Sequence, residues 1–174
     1  MNDGLIDALR HNTWASRRLL ATLAPLSDAQ WDTTALGTYG TIRATFWHIV
    51  AAEGRYCGRL TGERPVWANS ATPPTDTATL AACLDDLDGR WERLLSTPFD
   101  AEQRYLMDGE DGHLRSVPAG VVLAQVFHHG SEHRSQIATI LTHLGVPVPD
   151  WGVWDYAEDT DRSPRHREEP SGQA

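Results

Sequence analysis

The chain has 174 residues, of which 40% are hydrophobic, and a formal net charge of −9 at pH 7. This length suits one domain with its own core, and the acidic balance excludes a typical nucleic-acid binder, which presents a basic face. All 15 basic residues are arginine, which excludes Schiff-base chemistry and a lysine-dependent phosphate loop; the sequence indicates no local basic patch.

The two cysteines, Cys57 and Cys83, lie within helical patterns and lack a CxxC spacing, so we expect buried reduced thiols. The N-terminus lacks a signal-peptide pattern, and no run of about 18 apolar residues occurs. We therefore expect a cytoplasmic protein without a membrane partner.

The first half of the chain predicts two long helices. An apolar stripe covers residues 3–24, and Pro25 ends it. A short capped turn carrying Trp31 and a loop over residues 32–40 follow. Thr41 is a natural cap for a second helix over residues 42–60.

The second half begins with a connection, residues 62–75, that contains three prolines. Residues 76–96 then show the clearest amphipathic pattern of the chain, with apolar residues in steps of four and three: Leu80, Leu84, Leu87, Trp91 and Leu94. Residues 103–116 contain two short apolar stretches around a DGEDG turn, which predicts a small hairpin or a loop.

The last long helix is predicted from residue 117 to about Gly145. Ser116 is a candidate cap, Pro118 suits a first turn, and Gly145 and Pro147 are stop signals. One more short turn is expected at 151–158. The charged segment 159–174 is expected to be a disordered tail.

These patterns predict an all-α fold, a four-helix bundle in a single domain over residues 1–158. Bundle cores are places where side chains of facing helices can converge on a metal ion.

The metal-binding candidates are histidines. His129 and His133 are four residues apart, so on a helix they share one face with Cβ atoms about 5–6 Å apart. His48 lies one position from the apolar stripe of the second helix and is the candidate third ligand. The alternatives are a polar helix face for the pair and a satisfied core histidine for His48.

Four segments resemble the DinB-like (DinB/YfiT-like) superfamily of metalloenzymes. FHHGSEHRSQI (127–137) resembles its H-x-x-x-H-R-x-Q-I signature, and TIRATFWHIVAAEGRYCGRL (41–60) resembles its second-helix motif. HNTWASRRLLATL (11–23) is similar to the N-terminal motif with an Asn-x-Trp core, and VPDWGVWDYAED (148–159) to the family's ending.

The resemblance implies an up-down-down-up four-helix bundle that commonly forms a homodimer. It also implies one divalent metal ion, often zinc or nickel, bound by His48, His129 and His133. Better-understood relatives act as S-transferases of low-molecular-weight thiols (bacillithiol, mycothiol or glutathione) or as a thiol-dependent isomerase, whereas others are regarded as hydrolases or stress-induced proteins.

Three functions follow for a small-molecule substrate: thiol S-transfer to an electrophile, metal-dependent hydrolysis, or metal binding without turnover in a stress response.

Two further side chains are catalytic candidates. Glu53 is a candidate general base or hydrogen-bond partner of the site, and Arg134 a candidate anion ligand. Each has a structural alternative, a buried helix–helix contact for Glu53 and an interhelical ion pair for Arg134.

Overall fold

A computed structural model describes residues 3–108 and 112–163 of the chain. Four long helices dominate it, and they begin and end within two residues of the predicted positions: α1 (Asp3–Leu23), α3 (Ile42–Thr61), α4 (Thr77–Leu95) and α5 (Ala119–His143). The short helix α2 (Asp28–Trp31) lies between the first two, and α6 (Val153–Asp159) follows the last.

Helix α1 packs against α4 and α5, and α3 packs against the same two helices. Arg10 and Arg17 of α1 pair with Glu92 and Asp88 of α4, so α1 and α4 are antiparallel. In contrast, α3 and α4 run parallel. Arg43, near the start of α3, hydrogen-bonds to the Thr75 carbonyl just before α4, and Glu53, further along α3, hydrogen-bonds to Trp91, further along α4.

Two contacts between α3 and α5 give the direction of the last long helix. His48 lies against His133 and Tyr56 against His129, so α3 and α5 are antiparallel. Taken with the pairs above, these directions give an up-down-down-up four-helix bundle, which confirms the predicted fold.

The parallel pair of α3 and α4 requires a long return connection, which explains residues 62–76. This segment is ordered by a 3₁₀ turn, Val66–Asn69, whose Trp67 packs directly on Gly54 of α3. The Trp67 indole N–H also donates to Asp86 Oδ2 of α4 at 2.9 Å, so the connection ties the two helices together.

The segment before α5 forms a hairpin. Of the two structures predicted for residues 103–116, a small hairpin or a loop, the hairpin is therefore the correct one. Strand β1 (Arg104–Asp108) pairs antiparallel with β2 (Leu114–Pro118), with Arg104 opposite Pro118. The prediction that α5 begins at residue 117 with a Ser116 cap is wrong. Pairing with β1 holds residues 117 and 118 extended, and Ser116 Oγ instead accepts a hydrogen bond from Arg104 Nε at 2.8 Å.

The predicted short turn near residue 151 is helix α6, which packs on α1. Part of the predicted tail is described: the ion pairs of Asp159 with Arg18 and of Arg162 with Asp7 attach residues 159–162 to α1. The rest of the predicted tail, from residue 164 onward, lies outside the described residues. Among the helices described, none is long and apolar enough to cross a membrane.

Candidate metal centre

The structure brings His48, His129 and His133 together on the facing sides of α3 and α5. Their ring centroids lie 4.5–4.8 Å apart, and each can offer one ring nitrogen such that all three lie within 4.8 Å of one another. His129 Nε2 and His48 Nε2 are 2.9 Å apart. Two nitrogens bound to one tetrahedral ion at about 2.0–2.1 Å would be about 3.3 Å apart, so the closest pair must separate slightly and wider pairs, up to 4.8 Å apart, must close for the three rings to share an ion.

Two of the three rings, His48 and His129, have surroundings that favour neutral imidazole. Burial, followed by the charge of His133 and then of Arg55, lowers the pKa of His48 to about 4. Burial and the neighbouring histidines likewise lower the pKa of His129 to about 3. Neutral imidazole offers the lone pair that a divalent ion requires.

Two further side chains hold these rings in place. Gln136 Oε1 accepts hydrogen bonds from His133 Nδ1, at 2.9 Å, and from the backbone N–H of Tyr39, at 3.0 Å. The proton on Nδ1 leaves Nε2 of His133 as the ligand atom. The Tyr39 ring stacks on His48 with a centroid separation of 4.1 Å.

The sequence analysis did not identify Tyr39 and Gln136 as site residues. Gln136 is visible as the glutamine of the H-x-x-x-H-R-x-Q-I signature, one helical turn after His133, so its position was a usable signal. Tyr39 comes from the loop before α3, and no periodicity places a loop residue.

Glu53, a predicted catalytic candidate, is buried among α1, α3 and α4. Its two carboxylate oxygens accept hydrogen bonds from Asn12 Nδ2 at 2.9 Å and from Trp91 Nε1 at 2.8 Å. Burial raises its pKa, although these hydrogen bonds and the charge of Arg134 oppose the shift. Both oxygens therefore already have partners away from the histidines, as the structural alternative predicts.

Arg134, the other candidate, is 2% exposed and points from α5 toward α1. Its Nη atoms donate to Ser16 Oγ at 3.2 Å and to Asn12 Oδ1 at 3.1 Å. Burial lowers its pKa to about 10, and the charge of Glu53 acts in the opposite direction. The Asn12 amide thus bridges Arg134 and Glu53, and a catalytic role for either charged residue remains a prediction.

Gly130 makes this bridge sterically feasible. A Cβ at position 130 would lie 2.7 Å from Asn12 Oδ1 and 2.9 Å from Arg134 Nη1, closer than atoms normally approach. A glycine at this point of α5 leaves the space in which α1 and α5 meet through polar groups.

The other described histidines lie outside the cluster. His128 is exposed and lies 3.4 Å from Glu132, and His143 donates from Nδ1 to the Thr139 carbonyl in the last turn of α5. His11 donates from Nε2 to the Trp151 carbonyl at 2.9 Å. His113 is exposed on the hairpin, and His166 lies outside the described residues.

Two acidic residues of the segment after α5 are engaged away from the histidines. Asp155 Oδ2 accepts from the Gly152 N–H at the start of its own helix, and Asp159 pairs with Arg18 of α1.

Comparisons with known proteins identify the family and the fold. The DinB family model matches residues 1–169. The fold is similar to a DinB-like protein from Bacillus cereus ATCC 10987, with a TM-score of 0.69 and 18% identity over 86% of this chain and 96% of the other. It is also similar to YfiT from Bacillus subtilis, described as a probable metal-dependent hydrolase with an unusual four-helix bundle topology. That match has a TM-score of 0.57 and 20% identity over 84% and 91% of the two chains. No functionally curated protein matches the sequence.

Proposed function

The chain belongs to the DinB family, and from this premise we propose that it is a divalent-metal-dependent enzyme that joins a low-molecular-weight thiol, through its sulfur, to a small electrophile. The observation that carries the proposal is the cluster of His48, His129 and His133, whose donor atoms converge within 4.8 Å. Three imidazole ligands would leave a fourth position on a tetrahedral ion for an external ligand.

Zinc and nickel are the ions that we propose for this site. Imidazole binds both. When bound, a divalent ion supplies Lewis acidity that lowers the pKa of a thiol or of water.

The protein's own thiols are poor nucleophiles, which favours an external thiol. Burial raises the pKa of Cys57 to about 12 and that of Cys83 to about 11. Both therefore stay protonated and buried at neutral pH. In the proposed reaction the external thiol loses its proton to solvent, its sulfur forms a bond to an electrophilic carbon, and the leaving group departs with the electron pair.

The remaining residues of the site keep it in the geometry that this reaction needs. Gln136 fixes the proton of His133 on Nδ1, and the Tyr39 ring covers one face of His48. Tyr56 approaches His129 edge-on, with ring centroids 6.0 Å apart. These contacts orient the rings before any ligand arrives, which reduces the reorganisation that catalysis requires.

Metal-dependent hydrolysis is the second candidate, favoured by the likeness to YfiT. It needs a group that accepts a proton from water. Glu53 is occupied by Asn12 and Trp91, so this role would require the Glu53 carboxylate to be released from α1 and α4. That requirement is the reason why we place hydrolysis second.

The first experiment is the metal content of untagged wild-type protein beside His133→Ala and the control His143→Ala, which removes a histidine of the same helix outside the cluster. We expect about one ion per chain in wild type and control and loss of the ion in His133→Ala. Equal metal in all three proteins, or none even after zinc is supplied, would contradict the site.

The second experiment compares chemistries on the loaded protein. Several low-molecular-weight thiols are offered with 1-chloro-2,4-dinitrobenzene, and p-nitrophenyl acetate is offered without thiol. Turnover that needs both thiol and His133 supports S-transfer. Turnover of the ester alone supports hydrolysis, and no metal-dependent turnover of either substrate supports a non-catalytic metal-binding protein.

A homodimer, which the family resemblance implies, is part of the proposal. Sedimentation equilibrium of the full chain tests it, since a dimer has about twice the 19.3 kDa mass of the chain.

A further inference from the structure

A cavity of about 570 Å³ lies between α1, α5 and the segment that contains α6. We call it the aromatic pocket, because aromatic rings form much of its wall. Its lining includes His11 of α1, Phe127, Ser131 and Arg134 of α5, and Trp151 and Tyr156 of the C-terminal segment. Pockets that hold small molecules have volumes of about 300–1,000 Å³ and mostly apolar walls, so the size and the lining both suit a small ligand.

The aromatic pocket and the metal centre lie on opposite sides of α5. Phe127, Ser131 and Arg134 are four and three residues apart and form one stripe on the helix. At about 100° per residue, the direction midway between His129 and His133 lies about 150° from the centre of this stripe. The pocket is therefore separate from the three-histidine cluster.

Contacts with α1 hold the C-terminal wall of the pocket in place. The Trp151 carbonyl accepts a hydrogen bond from His11 Nε2 at 2.9 Å. The buried Tyr156 ring packs edge-on against the rings of His11 and Trp14, with centroid separations of 5.7 Å. The wall is thus formed before a ligand arrives, which reduces the ordering that binding requires.

His11 supplies the pocket with an unused hydrogen-bond acceptor. A carbonyl can only accept, so the bond to Trp151 places the imidazole proton on Nε2 and leaves a lone pair on Nδ1. No hydrogen bond between described residues involves this Nδ1 atom, which remains accessible. Burial lowers the pKa of His11, so the imidazole is neutral at pH 7 and its lone pair can accept a proton donor.

The charged side chains of the lining have opposite charges nearby. Asp7 pairs with Arg162 at 2.7 Å, and the Asn12 amide bridges Arg134 to Glu53. The remaining wall is largely aromatic and aliphatic. These surroundings favour a ligand without a net charge, and aromatic walls favour an aromatic ligand through offset and edge-to-face ring contacts.

We propose that the aromatic pocket binds a neutral, planar aromatic molecule that carries an N–H or O–H group, and that His11 Nδ1 accepts the hydrogen bond from that group. The rings of Phe127 and Trp151 supply the apolar contact. An analogue without the donor would leave the Nδ1 lone pair unpaired and is therefore a poorer ligand. This inference goes beyond the proposed function and depends neither on the metal nor on the reaction.

The test is isothermal titration of the full chain with indole, which has an N–H donor, and with 1-methylindole, which has none. We expect wild type to bind indole about tenfold more tightly. His11→Phe keeps an aromatic ring but removes the acceptor, so the preference should disappear.

A second variant tests the position of the ligand. Ser131→Trp introduces a bulky ring at the pocket from an exposed position of α5 and should weaken the binding of both compounds by at least about tenfold. The control is Ser135→Trp, the same change at an exposed position one turn further along α5 and outside the lining, which should bind as wild type does. Circular dichroism verifies that each variant is folded.

Repeating the titrations in His133→Ala separates this inference from the proposed function. Indole binding that persists without metal supports the pocket, even if the metal proposal fails. Four results would overturn the inference: wild type does not bind indole at millimolar concentration, it binds 1-methylindole equally well, Ser131→Trp binds as Ser135→Trp does, or binding is lost in His133→Ala.

Discussion

At the scale of single residues, the sequence carried a signal for the metal ligands and for Gln136 but none for Tyr39. The four-residue spacing of His129 and His133 and the position of His48 beside an apolar stripe are properties of the sequence. The family resemblance connects the three. Tyr39 and Gln136 support them through contacts between a loop and a helix, and such contacts depend on how the chain folds back on itself.

Gly130 leads to a prediction about stability. Gly130→Ala places a Cβ 2.7 Å from Asn12 Oδ1 and 2.9 Å from Arg134 Nη1, so the buried polar bridge must shift. We expect the free energy of unfolding to fall by about 1–3 kcal/mol, measured by urea denaturation. The matched control on the same helix is Gly120→Ala, whose Cβ would meet Ala101 at an ordinary 3.5 Å. If the two variants are equally stable, the close approach does not determine the residue at position 130.

The histidine cluster leads to a prediction about pH. Because burial lowers the pKa of His129 to about 3, the unfolded chain binds a proton below about pH 6.5 that the folded, metal-free protein does not. Its stability should therefore decrease as the pH falls from about 6.5 toward 3.

Urea denaturation of metal-free protein at several pH values measures this slope. In His129→Gln the stability should depend less steeply on pH, since the variant lacks the His129 imidazole. Glu53, whose raised pKa also affects stability, is present in both proteins and cancels in the difference. His143→Gln is the control and should keep the wild-type slope; identical slopes in wild type and His129→Gln would refute the expected contribution of His129.

At the scale of elements, the helices follow from the sequence because their apolar stripes, caps and stop residues agree. The start of α5 was predicted too early, because Ser116 and Pro118 are good local signals for a helix start. Pairing with β1 overrides them: the N–H groups of Ala119 and Gly120 donate to the carbonyls of Gln103 and Ala101. A local signal cannot report a partner strand ten residues away.

One buried polar cluster joins all four long helices, and Asn12 is its centre. Asn12→Ala would deprive Glu53 Oε2 and Arg134 Nη2 of their hydrogen bonds. Although Glu53 keeps Trp91 and Arg134 keeps Ser16 as partners, each loses one buried hydrogen bond, which costs about 1–3 kcal/mol, so we expect a loss of at least about 2 kcal/mol in urea denaturation. Asn69→Ala, at an exposed position, is the control. Near-equal stability of the two variants would show that the cluster contributes little.

At the scale of the whole molecule, the arrangement of the bundle explains why the site could be only partly foreseen. Composition and periodicity predict four helices, and the family resemblance supplies their order. The approach of Arg64 to α3, for example, depends on a chain reversal at Gly62. A contact between a helix and the segment that follows it forms only in the folded chain.

The metal centre also bears on the stability of the entire bundle, since His48 belongs to α3 and the other two ligands to α5. An ion that binds only the folded protein stabilises it by about 2.7 kcal/mol when present at a hundred times its dissociation constant. For a domain of this size, that corresponds to a rise in Tm of about 5–10 °C.

We expect differential scanning calorimetry to show this rise when zinc is added to metal-free wild type and to the His143→Ala control. His133→Ala, with two ligands remaining, should show a much smaller rise. Magnesium should have little effect on any of the three proteins, because it prefers oxygen ligands to imidazole. An equal zinc-induced rise in His133→Ala and wild type would mean that the stabilising ion binds elsewhere, and the link between α3 and α5 through a shared ion would have to be abandoned.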